Sequence, residues 1–82
     1  MILVDIEVPI LEKVYDIQLD ENTPTCFLIE DIVGMICQKE QLRLSGLLYD
    51  MTLWHKAKKQ LLEPGRTLIQ YGIVNGETLI LI

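Results

Sequence analysis

The last five residues, Thr78-Leu79-Ile80-Leu81-Ile82, leave this chain few folds to choose from. They follow Asn75-Gly76, a strong turn signal, and they are apolar on both alternating faces. A strand of that kind is buried on both sides and belongs in the middle of a sheet. The chain has 82 residues, so all upstream segments must pack around this strand before the core can close. The residues leading into it read as a short strand at Leu61-Leu62, a turn at Pro64-Gly65, one helical turn at Leu68 to Tyr71, and the Asn75-Gly76 turn. At Pro64-Gly65 proline sets φ, and glycine is expected to take a positive φ without steric cost.

A chain of this length makes one domain, residues 1–82. Such a domain buries roughly 60–65 % of the surface its unfolded chain exposes, enough for a single core. Half the residues are apolar, which excludes disorder. No apolar run reaches the ~18 residues a membrane span needs. The start, Met1-Ile-Leu-Val-Asp-Ile-Glu, lacks the basic region and unbroken apolar run of a signal peptide. The expected location is cytoplasmic, with no direct membrane insertion.

Charge is unevenly placed. Residues 1–31 carry eight acids against one lysine, whereas residues 32–82 carry four acids against six bases. The acidic first part argues against a nucleic-acid partner, which requires a phosphate-neutralising surface. The run Lys56-Ala57-Lys58-Lys59 is the one basic cluster; at a hairpin tip it reads first as a solvated turn, with contact to an acidic partner or membrane surface as the second reading. Cys26 and Cys37 fall eleven positions apart on one expected helix, roughly 16 Å along its axis, too far for a disulfide. They read as reduced, buried cysteines.

Taken in order, Ile2 to Val8 alternates, with Ile2, Val4, Ile6 and Val8 inward and Leu3 on the wet face with Asp5 and Glu7. Pro9 to Lys13 is a turn. Val14 to Asp20 alternates again, with Tyr15, Ile17 and Leu19 inward, so the two segments predict an antiparallel hairpin. Thr23-Pro24 opens a helix, Thr as N-cap and Pro in the first helical position. The helix runs to about Lys39. At 100° per residue its core face is Cys26, Ile29, Ile32, Val33, Ile36 and Cys37. Leu28 and Met35 flank that arc, and Phe27 falls near the polar side, where either the next loop partly covers the first turn or the helix exposes an apolar shoulder to a partner. A connection through Ser45-Gly46 leads to a third strand, Leu47 to His55, with Tyr49, Met51 and Leu53 inward and Leu48, Asp50, Thr52 and Trp54 outward. The element order is β-β-α-β-β-β: an α+β layer pair, a mixed sheet of four to five strands on one helix.

No residues converge on catalytic, cofactor or metal chemistry. His55 is the sole histidine, with no nucleophile motif and no second ligand at metal spacing; it reads as a histidine at the solvent edge of its strand. Gly72-Ile-Val-Asn-Gly76 is a turn and not a phosphate cradle.

The spacing Leu62-x-x-Gly65-x-Thr67-Leu68-x-x-Tyr71-x-Ile73, followed by Thr78-Leu79, resembles the C-terminal half of ubiquitin, and the element order is that of the β-grasp fold. The resemblance implies structural roles for Gly65, Tyr71 and Gly76, with the Tyr71 ring buried and its hydroxyl hydrogen-bonded to backbone near the Glu63 turn. Modifiers and sulfur carriers of that superfamily act through a flexible Gly-Gly tail, and the sequence stops at Ile82 within its strand. The run Tyr71-Gly-Ile-Val-Asn-Gly-Glu-Thr-Leu-Ile-Leu-Ile82, with the short N-terminus, is similar to the bacterial YukD/EsaB-like proteins associated with type VII (ESX-type) secretion. That resemblance implies an accessory or regulatory protein that works by contact with secretion-machinery subunits and is not conjugated. Two other readings stay open: a modifier or sulfur carrier lacking its tail, and a ubiquitin-like domain of a larger protein.

On any of these readings function lies in surface. Leu3, Trp54, Ile80 and Ile82 fall on the sheet face away from the helix, and Ile10 and Leu11 in the first turn are expected to border them. With strands one, five and three adjacent, these side chains are expected to make one patch for a protein partner or a second copy of the chain.

Overall fold

The computed structural model describes residues 1–41 and 51–82. The Ser45-Gly46 connection and the expected inward Tyr49 and outward Leu48 and Asp50 lie outside the described residues.

The hairpin forms as its alternation requires. Strand β1 (Ile2–Val8) pairs antiparallel with β2 (Lys13–Leu19), joined by a 3₁₀ turn at Pro9–Leu11. Val4, Ile6 and Val8 from β1 and Tyr15, Ile17 and Leu19 from β2 are buried, and Ile2 packs half-buried against them. Helix α1 (Thr25–Glu40) follows, then β3 (Leu53–His55), β4 (Gln60–Leu61), a 3₁₀ turn at Ile69–Tyr71 and β5 (Thr78–Leu81). The sheet order is β2-β1-β5-β3-β4, with β5 parallel to β1 and antiparallel to β3. The doubly apolar strand is thus central, as its composition demands. Leu79 and Leu81 are buried towards the helix, while Ile80 is half-buried and Ile82 half-exposed on the other face.

Two details of the helix depart from expectation. Thr23 does not cap it: Pro24 occupies the cap position and no side chain accepts there. The free amides of the first turn are satisfied by backbone instead. Thr25 N donates to Arg66 O (2.8 Å) and Cys26 N to Pro64 O (3.0 Å), while the buried Thr25 hydroxyl donates to Arg66 O at 2.7 Å. Helix ends leave four such donors to satisfy, and here the Glu63–Thr67 turn supplies the acceptors, a long-range partner that local sequence cannot name. The core stripe is also rotated. Leu28 joins Ile29, Ile32, Val33, Ile36 and Cys37 in the core, and Cys26 is only half-buried. Phe27 is not covered: it is 55 % exposed.

The hairpin is clamped to the helix C-terminus by a polar cluster. Glu40 accepts from Lys13 Nζ (2.7 Å) and from the Tyr15 hydroxyl (2.8 Å). Both donors hold the Glu40 carboxyl below its ordinary range. Burial, with the Glu40 carboxylate beside it, pushes the Tyr15 phenol up to about 12.

Candidate functional site

The sheet face turned away from α1 carries a row of side chains crossing all five strands. Pairing places Val14 opposite Glu7, Glu7 beside Ile80, Ile80 opposite Trp54 and Trp54 opposite Leu61. At the next level Thr52 and Ile82 exchange backbone hydrogen bonds in both directions. Trp54 does not stand free on this face. Its indole N–H donates to Thr52 Oγ1 (2.9 Å), and that hydroxyl donates to Ile82 O (2.9 Å). The chain of bonds fixes the ring over Ile80 and Ile82. These three residues, with Lys56 and Lys59 at the rim, line a shallow cavity of about 220 Å³.

The expected six-residue patch is divided in the structure. Trp54, Ile80 and Ile82 come together. Leu3 shares their face and is 46 % exposed, but Asp5 and Asp16, paired directly across β1 and β2, lie between it and the Glu7–Ile80 row. Leu3 is instead tied to the last turn: its N–H donates to Asn75 Oδ1 (2.7 Å) and its carbonyl accepts from Gly76 N (2.9 Å). Ile10 and Leu11 sit on the helix side. With Val33, Ile36 and Cys37 they line a separate apolar cavity of about 240 Å³ between the hairpin turn and α1. The Pro9–Leu11 turn and the left-handed Glu12 that closes it (φ 53°) fold these side chains towards the helix, a geometry invisible in the hydropathy pattern.

Charge on the outer face is ordered. The Asp16 carboxylate stands beside Asp5 as acceptor for a proton on the Asp5 carboxyl and as a negative charge, and both effects raise the Asp5 pKa, with smaller contributions from burial and Glu7. On the opposite flank the Lys56–Lys59 tip is basic. Lys56 Nζ reaches back to Glu7.

His55 overturns its sequence reading. It is 2 % exposed, on the same inward parity as Leu53. Its Nε2 lies 2.7 Å from Glu77 Oε1, and the other Glu77 oxygen accepts from Val74 N at 2.8 Å. The Val74 amide is the main reason the Glu77 carboxyl lies below its ordinary range, with His55 adding to it. Nδ1 of His55 is buried with no hydrogen-bond partner among the described residues. The pair joins the end of β3 to the Asn75-Gly76 turn, so its geometry is that of a structural tie. Strand parity alone pointed His55 inward, and its polarity was the misleading signal.

The turn residues separate in role. Tyr71 is half-buried and its hydroxyl accepts from Glu63 N (2.9 Å), as the resemblance implied for the bond though not for full burial of the ring. Gly76 (φ +87°) and Gly72 (φ +72°) hold left-handed backbone, whereas Gly65 does not. The Glu63–Arg66 turn closes through Arg66 N to Glu63 O (3.1 Å) without a positive φ, the type I pattern that accepts most residues after proline. Among the described residues no group of three or more His, Cys, Asp or Glu is placed to hold a metal ion, and no helix is long and apolar enough to cross a membrane.

Comparison with known proteins agrees with this architecture. No curated protein matches the sequence. Among solved structures, the crystal structure of ATBAG1 in complex with HSP70 is similar with a TM-score of 0.69 and 16 % identity, over 100 % of this chain and 40 % of that one. At that identity the likeness speaks to fold alone, and this chain spans two-fifths of that protein's chain. The strand order, with one α-helix among the described residues, is that of a ubiquitin-like β-grasp. A family model described as "WXG100 protein secretion system (Wss), protein YukD" matches residues 3–81. The chain therefore belongs to the YukD family, ubiquitin-like proteins of the type VII secretion system.

Proposed function

We propose that this single-domain protein is a non-catalytic interaction module of the cytoplasmic side of the secretion machinery, and that it docks partner subunits through the outer sheet face. The observation that carries this reading is Trp54. A tryptophan is a frequent interface anchor, and this one is half-buried, fixed by a hydrogen-bond chain and set beside Ile80 and Ile82. A surface that positions a large aromatic ring without covering it is prepared for contact.

The test is affinity capture from native lysate with parent, Trp54→Ala and Ile80→Glu proteins, with thermal unfolding as the control for folding. Secretion ATPase or channel subunits should be retained by the parent and lost by folded variants. Equal retention by all three, or recovery of an activating enzyme with covalent adducts, would overturn the reading.

A further inference from the structure

The outer face is electrically bipolar about its apolar centre. On the β1–β2 flank Asp5 and Asp16 stand directly opposite each other, with Glu7 at the next position. On the β3–β4 flank the turn carries Lys56, Lys58 and Lys59. Lys56 is already paired with Glu7. Lys59 lines the apolar cavity, and neither it nor Lys58 makes an ion pair among the described residues. Lys59 is also held at φ 51°, a left-handed conformation that glycine or asparagine takes with less strain. A cation is therefore kept at a strained position on the rim of the patch, in a chain whose net charge is −5.

We infer that the outer face takes a protein segment of matching polarity: an acidic end over the Lys56–Lys59 turn, where Lys59 lines the cavity, an apolar anchor against Trp54, Ile80 and Ile82, and a basic end over Asp5 and Asp16. This rests on the outer face being the docking surface. Complementary charge steers association and fixes register more than it adds affinity, and two opposed flanks fix direction as well as position. An anionic membrane fits poorly, because a flat negative surface meeting the lysines would also meet Asp5, Glu7 and Asp16.

The experiment uses the whole chain labelled with ¹⁵N and four short synthetic peptides sharing a central leucine pair. One has glutamates at one end and lysines at the other, one is wholly acidic, one wholly basic and one neutral. The bipolar peptide should bind best, shift Trp54, Ile80 and Ile82, and weaken as salt is added. A nitroxide on its acidic end should broaden the signal of Lys59, and one on its basic end that of Asp16. The folded double variant Lys58→Glu/Lys59→Glu should lose about tenfold in affinity for it at low ionic strength. If the neutral peptide binds the same residues as tightly, the charge inference fails and the docking face stands. If no peptide perturbs this face, both fail. Co-sedimentation with phosphatidylserine vesicles that the double variant loses would overturn the choice of a protein segment.

Discussion

At the scale of single residues, like charges set directly across a strand pair oppose folding. Asp5 and Asp16 are such a pair: a proton on Asp5 that the Asp16 carboxylate accepts, and then the negative charge beside it, hold the Asp5 pKa above the ordinary 3.8. The folded state then binds a proton more tightly than the unfolded state does. Stability contributed by this site falls as pH rises from the ordinary aspartate value through the raised one, and stays lowered at neutral pH. Asp16→Asn removes the repulsion. Urea unfolding should show the variant with the higher midpoint at pH 7 and the difference closing by pH 3; equal midpoints at both pH values would contradict the assigned cause. Some residue roles were legible in the sequence and others were not. Gly76 and the Tyr71 hydroxyl bond followed from turn chemistry and resemblance. Gly65 did not need its freedom, because a proline-initiated turn has a form without positive φ. His55 was misread because a polar side chain on an inward position can be satisfied by an acid 22 residues away, which alternation cannot report.

At the scale of elements, period-two alternation set β1 and β2 correctly because one face is wet and the other buried, so a one-residue slip would expose the whole core set. The helix was less legible at its ends than in its middle. Its cap is tertiary, supplied by the Pro64–Arg66 backbone in place of Thr23, a long-range partner that local sequence does not report. Its middle carries a glycine, Gly34, on which a Cβ would meet nothing within 4 Å among the described residues. Glycine in a helix interior costs roughly 0.5–1 kcal/mol relative to alanine. Gly34→Ala should therefore stabilise the protein by about that amount in chemical denaturation. A loss of stability instead would show that the helix relies on a close approach at that position.

At the scale of the whole molecule, the central β5 strand organises both faces at once. Its inward residues Leu79 and Leu81 seal the core with α1, and its outward residues Ile80 and Ile82 make the floor beneath Trp54. The doubly apolar run that fixed the fold therefore also builds the candidate docking face. The fold and family were legible because strand order follows from that run and from the turn spacing before it. The extent of the patch was not, because hydropathy assigns a face but not a distance along it: Leu3 shares the face yet lies beyond Asp5 and Asp16, and the Pro9–Leu11 turn sends Ile10 and Leu11 to the helix side. The most direct test of the docking face is a ¹H–¹⁵N chemical-shift map of the whole chain during titration with a captured secretion subunit. Shifts centred on Trp54, including its indole N–H, with Ile80 and Ile82, are the predicted result. Shifts confined to the helix side, at Phe27 and Met35 or at Ile10 and Leu11, would contradict it.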